Sequence, residues 1–248
     1  MKEIRITSRK NEHIKQLRLI KEGKNDDNLT LVSGLNSIRM AHQSGLLKEI
    51  ICLEKMEEFS DVTNTLVSED IIKLLSAHVS PSGAIGVVAL DEPEYPLNDE
   101  NIVLLDNVQD PGNVGTIYRN ALAFSFKHVY SFGDTAKWTN SKVIQASEGA
   151  LFHLDFRKVD ISYLKNLKKI GYKIIVTTLG KDSIDLESAT KLINSKFVIV
   201  FSNEGHGVDG NIDALADLRI KINIKNIDSL NVASASAITL FCLDKLNS

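Results

Sequence analysis

The stretch NIVLLDNVQDPGNVGTIYRNALAF, residues 101–124, holds three local signals in one run. Residues 102–105 are continuously apolar, as expected of a strand covered on both faces. Pro111-Gly112 then makes a turn. A helix is predicted over 113–125, with Asn113 or Thr116 able to cap it. Strand, turn and helix in this order form the repeating unit of an α/β sheet. Arg119 interrupts an otherwise Ala, Leu, Ile and Phe helix and must face something polar. A structural ion pair satisfies that need, and so does a clamp on a phosphate or carboxylate. Asn113 and Arg119 stand nearly two turns apart and do not stack on one spot.

The alternation continues downstream. Predicted strands are HVYSF (128–132), FHLDF (152–156), YKIIVTT (172–178), FVIVFS (197–202) and LRIKINI (218–224). Predicted helices run over 140–149, 161–170, 208–215 and 231–246. Ile- and Val-rich strands imply a mainly parallel sheet covered on both sides, and such sheets bind ligands at the carboxyl ends of their strands. The loops that follow strands are therefore where chemistry is expected.

Upstream, Ile14, Leu17, Arg18, Ile20 and Lys21 alternate faces at helical spacing. LTLVS (29–33), EIICL (49–53), TLV (65–67) and AIGVVAL (84–90) read as strands. A helix runs through Ile38 and Met40 to Gly45, and another starts at Ser68, an N-cap followed by Glu69 and Asp70. This is a small α/β sandwich. Pro93 and Pro96 lie in DEPEYPLNDE, an acidic stretch without periodicity that reads as a linker. The expected organisation is a domain at 1–90, a linker at 91–100 and a domain at 101–248.

With 248 residues, 43% hydrophobic and 25% charged, the chain is not disordered, collagen-like or disulfide-rich. Two cysteines, Cys52 and Cys242, both in apolar runs, are expected to be buried free thiols in a reducing compartment. The first fifteen residues lack a signal-type apolar region, and no apolar run nears the ~18–20 residues of a membrane span. A cytoplasmic protein is expected. The six histidines never pair at helical spacing and lie far from both cysteines, so no metal site is expected. The net charge of −3 argues against a nucleic-acid partner, yet residues 1–24 carry eight Lys/Arg against three Glu. Residues 25–100 carry four basic against fourteen acidic groups. The basic segment is either a solvated helix face or an arm that contacts phosphates.

Three loops carry further candidates. Gly205-His206-Gly207-Val208-Asp209-Gly210 has the form of a dinucleotide fingerprint, but too few residues separate it from the next strand for a crossover helix. Ser202-Asn203-Glu204-Gly205 ends an apolar strand, where a carboxylate either caps the next helix or binds a ligand donor. Ser229-Leu230-Asn231 precedes a helix of Ala and Ser, with Ser229 or Asn231 as its N-cap. That run of small residues implies very close packing of the helix backbone. No G-x-S-x-G elbow is present.

Asn113, Gly115, Arg119, Asn120 and Ala121, then Asn203, Glu204, Gly205 and Gly207, then Ser229, Leu230, Asn231 and Val232 stand in a fixed order. Ser147, Gly149 and Ala150 form a further pattern between the first two. This set resembles the SpoU (TrmH-like) family of S-adenosylmethionine-dependent RNA ribose 2′-O-methyltransferases, in the SPOUT class. ITSRKNEHIK at 6–15 resembles the start of that family's accessory RNA-binding domain, which is similar to ribosomal protein L30e. Ser33-Gly34 stands where many members have Glu-Gly, Gln145 where a basic residue is frequent, and Ala233 where Ser is commoner.

The resemblance implies an α/β fold: a C-terminal SPOUT domain with a mainly parallel sheet and a trefoil knot, behind a small L30e-like domain. It implies a homodimer with the active site at the subunit interface. It implies that Thr178, Gly180, Ser202, Gly205, Ile222 and Leu230 wrap S-adenosylmethionine. Arg119, Asn113, Glu204, Ser229 and Asn231 take the catalytic and positioning roles, with Arg119 against the target phosphate. A guanidinium orients the nucleotide and stabilises a developing alkoxide and does not act as a base. Arg5, Arg9, Lys10, Lys15 and Arg18 are the expected RNA contacts. An accessory domain of this kind favours large-subunit rRNA as substrate. A tRNA ribose methyltransferase and a catalytically silent RNA-binding assembly factor are the alternatives.

Overall fold

A computed structural model describes residues 5–22, 24, 28–76, 83–92, 100–180, 182–203, 205 and 207–244. It holds two compact units, Met1–Asp91 with Trp138–Phe152, and Glu92–Lys137 with His153–Ser248. Of the proline-bearing stretch 91–100, residues 93–99 lie outside the described residues.

The first unit runs β1 (Arg5–Ile6), α1 (Glu12–Lys21), β2 (Leu29–Ser33), α2 (Leu35–Gln43), β3 (Leu47–Cys52), β4 (Thr63–Val67), α3 (Glu69–Leu75) and β5 (Ala84–Ala89). Its sheet has the order β1-β4-β3-β5-β2. β4 is parallel to β1 and β3, and β5 is antiparallel to β3 and β2. Asn11 caps α1 by accepting from the His13 amide (2.9 Å). The helix buries Ile14 and Leu17 in a core with Leu31, Ile51 and Val87, leaving its basic groups outward. Lys21 Nζ donates to the carbonyls of Leu74 (2.7 Å) and Ser76 (2.9 Å), tying the end of α1 to the end of α3. Ser68 holds the N-cap position of α3 but its hydroxyl makes no cap bond; among the described residues its Oγ is buried without a partner.

The short helix Ser141–Ser147 belongs to this unit and packs on β2. Glu148 (φ 52°) and Gly149 (φ 88°) then turn left-handed. A Cβ at Gly149 would lie 2.5 Å from Met40 Sδ, so only glycine lets this turn approach α2.

The second unit contains β6 (Ile102–Asp106), α4 (Pro111–Ala123), β7 (His128–Phe132) and, after the helix Ser141–Ser147 numbered α5, β8 (Asp155–Lys158) and α6 (Ile161–Lys169). It continues with β9 (Lys173–Thr177), β10 (Ile184–Asp185), α7 (Leu186–Thr190), β11 (Phe197–Ser202), α8 (Gly210–Asp213), β12 (Leu218–Lys221) and α9 (Val232–Asp244). The seven strands pair in the order β10-β12-β9-β11-β6-β7-β8, every pair parallel. Ile102, Leu104, Ile174, Val176, Val198 and Val200 share one face and pack with Leu164 and Leu167 of α6 and Ile212 of α8. Each such side chain contributes about 1.5–3 kcal/mol by leaving water. The expected α/β fold with a mainly parallel sheet is the one observed. Among the described residues no helix is long and apolar enough to cross a membrane.

Several local expectations are corrected. Neither Asn113 nor Thr116 caps α4. Asp110 does, accepting from the Asn113 amide (2.8 Å) with Pro111 in the first turn, while Thr116 Oγ1 donates back to the Gly112 carbonyl (2.8 Å). The strand predicted at 152–156 begins at Asp155, because Ala150–His153 is a 3₁₀ turn and Asp155 pairs in register with His128. β10 and α7 are too short to show periodicity. The helix predicted at 208–215 is only Gly210–Asp213. Of the two thiols, Cys52 is buried and Cys242 half-buried.

The Asp155–His128 register builds a buried network. Asp155, His128 and Tyr130 are at most 2% exposed. Asp155 accepts from the Tyr130 hydroxyl (2.8 Å) and from Arg157 Nη2 (2.7 Å), and is hydrogen-bonded to His128 Nδ1 (2.7 Å). The other ring nitrogen of His128 meets Glu100 (2.8 Å). Burial by itself would raise the Asp155 carboxyl, but the bonds from His128, Arg157 and Tyr130 outweigh it and hold its pKa below the ordinary range.

Candidate functional site

The carboxyl ends of β9, β11 and β12, with the residues leading into α9, enclose a cavity of about 290 Å³. That is near the lower end of small-molecule sites, about 300–1,000 Å³. Loops after parallel strands form it because each strand stops where its ladder partners stop. Thr178 N still donates to the Ile220 carbonyl (2.9 Å), and Thr177 Oγ1 donates to the Val200 carbonyl (2.8 Å), fixing the three ends to one another. Gly180 N then turns back onto Thr178 Oγ1 (3.2 Å).

Thr178, Gly180, Ser202, Ile222 and Leu230 line this cavity together, and Ser229 joins them. Gly205 does not line it; Gly207 does, with φ 69°. The Asn203 side chain accepts from Gly205 N (2.9 Å) and its carbonyl accepts from Gly207 N (3.0 Å), which curls the glycine loop after β11. Glu204 and His206 lie outside the described residues. The buried apolar side chains of Leu186, Phe201 and Ile220 line the cavity, and so does Leu179, which is 59% exposed.

A hydrogen bond joins the first and third motifs. Asn231 Nδ2 donates to Asn113 Oδ1 (2.9 Å), although 118 positions separate them. The Oδ1 of Asn231 accepts from the amides of Ala233 (3.0 Å) and Ser234 (3.3 Å), so the residue is also the N-cap of α9. Asn120 Nδ2 donates to the Ala233 carbonyl (2.9 Å) and to Ser236 Oγ (3.0 Å). A side chain of α4 thus reaches the backbone of α9, which requires the small residues of that helix.

Arg119 stands apart from these groups. It is exposed, does not line the cavity, and makes no hydrogen bond or ion pair among the described residues. Of the two ways to satisfy a polar group there, the structural ion pair has no described partner.

Two contributors are not singled out by sequence pattern. Asp106, at the end of β6, is fully buried and accepts from Asp209 N (2.7 Å) and Asn107 Nδ2 (2.7 Å). Burial pushes its carboxyl above the usual range, partly offset by those bonds. It ties the loop after β6 to the loop after β11, and the signal for it was an acid closing an apolar strand. Asn107 (φ 53°) accepts from Asp134 N (2.8 Å), and a Cβ on Gly133 would stand 2.3 Å from its Oδ1.

The basic residues of the first unit are placed separately. Arg5 Nη2 donates to the Leu53 carbonyl (2.6 Å). Lys15 pairs with Glu12 (2.6 Å), Arg9 with Asp70 (3.8 Å) and Arg18 with Glu22 (4.0 Å), all at exposed positions. Lys10 is exposed with no ion pair among the described residues. Exposed pairs of this kind are weak, about 0–1 kcal/mol, and yield readily to a competing anion. Among the described residues no group of His, Cys, Asp and Glu could hold a metal ion.

The chain is 29% identical to the 23S rRNA (guanosine(2553)-2′-O)-methyltransferase RlmP of Bacillus subtilis, across 96% of this chain and 98% of that one. Its fold matches an AdoMet-bound rRNA methyltransferase from Sinorhizobium meliloti with a TM-score of 0.87 and 23% identity, covering 98% of each chain. It also matches the SpoU methyltransferase AviRb from Streptomyces viridochromogenes, in complex with AdoMet, with a TM-score of 0.82 and 19% identity over 96% of this chain and 98% of that one. A sequence profile of the SpoU rRNA methylase family matches residues 100–241. The match takes in the sheet, the cavity and both ends of the Asn113–Asn231 bond, and the chain belongs to the SpoU rRNA methylase family.

Proposed function

We propose that this protein transfers a methyl group from S-adenosylmethionine to a ribose 2′-OH of large-subunit rRNA. The observation that carries the reading is the Asn231–Asn113 bond, which joins the first family motif to the third, whose Ser229, Leu230 and Val232 line the cavity, while the Arg119 guanidinium on the same helix as Asn113 has no partner among the described residues. The cavity fits the cofactor. Buried apolar side chains suit a purine, the turned strand ends supply backbone polar groups, and the buried Thr239 hydroxyl on its wall has no hydrogen-bond partner among the described residues. When bound, S-adenosylmethionine supplies an electrophilic methyl group on a sulfonium. This chain supplies geometry and charge. Ser229 and Asn231 hold the loop into α9, and Asn113 with Asn231 positions the ribose. Arg119 grips the neighbouring phosphate and stabilises charge that develops on the 2′-oxygen. Glu204 completes the loop after β11. The general base is the phosphate or a water, since a guanidinium stays protonated.

The active protein is a homodimer whose sites are completed at the subunit interface. Ile238 and Phe241 of α9, 40% and 56% exposed and three residues apart on one helix, offer apolar surface for such an interface. Two free cysteines are consistent with a cytoplasmic setting. The first unit finds the RNA, with Arg5, Arg9, Lys10, Lys15 and Arg18 on the contacting side. The B. subtilis relative's named substrate favours rRNA over tRNA.

Two measurements test the reading. Total rRNA and tRNA from cells lacking the gene are surveyed for a missing 2′-O-methyl group, and one rRNA nucleotide is expected to lose it; an unchanged rRNA map with a tRNA position lost moves the substrate to tRNA. Affinity for that rRNA fragment is expected to fall by roughly 10³ or more between 50 and 200 mM salt if about six phosphates are contacted. A flat salt response removes the basic helix from the interface.

A further inference from the structure

Thr239, on α9, is fully buried and lines the cavity, and among the described residues its Oγ1 has no hydrogen-bond partner. A helical threonine ordinarily satisfies itself on the carbonyl three or four residues earlier. Other hydroxyls nearby do find such a carbonyl. Ser236 Oγ, one turn before it on the same helix, donates to the Ala233 carbonyl (2.8 Å), and Thr177 Oγ1, which also belongs to the cavity lining, donates to the Val200 carbonyl (2.8 Å). Thr239 does not, and buried polar atoms left in this condition are few in folded proteins. They mark a position where something other than the protein completes the bond.

The surroundings limit what that can be. Leu186, Phe201, Ile220 and Val232, each at most 6% exposed, form the buried part of the wall with Thr239. A carboxylate or ammonium group brought here would lose its hydration with one hydroxyl in return, which is strongly unfavourable. A flat heterocycle loses little hydration over its faces and needs only its polar edge met. A threonine hydroxyl donates and accepts, so it can meet a ring nitrogen or an exocyclic amine.

Building on the methyltransferase reading, we propose that the Thr239 hydroxyl hydrogen-bonds the purine edge of S-adenosylmethionine and fixes the nucleoside in the cavity. Thr239 is then a binding residue for the cofactor, and no residue of the three motifs performs its role.

Calorimetric titration of the full chain tests this, with S-adenosylhomocysteine and with 5′-methylthioadenosine, which keeps the nucleoside but lacks the amino-acid end. Thr239→Val keeps the shape and removes the hydroxyl; Thr239→Ser keeps the hydroxyl. The Kd of Thr239→Val is expected to rise about five-fold for both ligands, with Thr239→Ser near wild type. Without ligand, Thr239→Val is expected to melt no lower than wild type, since among the described residues the lost hydroxyl has no partner to give up. Wild-type affinity in Thr239→Val overturns the assignment. A loss confined to S-adenosylhomocysteine does so too, by moving the hydroxyl to the amino-acid end. A lower ligand-free melting temperature shows a bond within the protein and also overturns it. Failure of the wild type to bind S-adenosylhomocysteine overturns the methyltransferase reading, and this inference with it.

Discussion

Arg119→Ala is expected to lower kcat by on the order of 10²–10³, the loss typical when a preorganised charge stabiliser is removed. The affinity for S-adenosylhomocysteine should stay at the wild-type value, because Arg119 does not line the cavity and no described residue depends on it. Stability should move by no more than about 0.5 kcal/mol, as for an exposed side chain with no partner among the described residues. Arg119→Lys should recover little, because a point charge does not reproduce a planar guanidinium that can hold two oxygens at once. Single-turnover kinetics on the rRNA fragment, alongside calorimetry with S-adenosylhomocysteine, separate these effects. Wild-type turnover in Arg119→Ala would remove the residue from catalysis. A parallel loss of cofactor affinity would place it in the cavity wall.

The largest effect on stability is expected far from that residue. Asp155→Asn removes one carboxylate and leaves Arg157, His128 and Tyr130 facing an amide in a buried setting. Breaking a buried ionic cluster on one side costs about 3–5 kcal/mol. For a chain of this size that is a drop of roughly 6–20 °C in melting temperature, at about 2–4 °C per kcal/mol. The pH dependence has a definite sign. The folded pKa of Asp155 lies below its unfolded value. Its contribution is therefore fully present above the unfolded pKa, about 3.9, and is lost as pH falls through the folded pKa. The stability gap between wild type and Asp155→Asn should thus be full at neutral pH and narrow only below about pH 4. Denaturant melts at pH 7, 5 and 3 measure it. A gap of less than about 1 kcal/mol at pH 7 would mean that desolvation cancels the cluster's worth.

Much of the fold was legible along the chain because one-dimensional pattern carries it. The apolar runs at β6, β9 and β11 are buried on both faces, and a strand of that kind admits few polar residues. α1 was legible for the same reason, with Ile14 and Leu17 at helical spacing meeting the sheet. Caps were less legible. Around the start of α4 four side chains, Gln109, Asp110, Asn113 and Thr116, offer oxygens within eight residues, and the backbone path alone decides that Asp110 meets the free amide. The β8 boundary depended on a partner in another strand, since Asp155 is drawn into the ladder opposite His128.

The residues by themselves determined the alternation of strand and helix, the parallel character of the large sheet, the segregation of charge toward the first 24 positions, and the motif residues Asn113, Arg119 and Asn231. They could do so because hydrophobic period, charge and motif spacing are local quantities. Only the tertiary structure decided that Thr178, Ile222 and Leu230 share one cavity, that Asn231 reaches Asn113 across 118 positions, and that Arg119 has no partner among the described residues. It also decided that Thr239, an unremarkable position in an apolar helix, brings to the cavity wall a hydroxyl with no partner among the described residues. These facts depend on which strand ends lie side by side, and sheet order is set by the packing of the whole unit, not by the preference of any one segment.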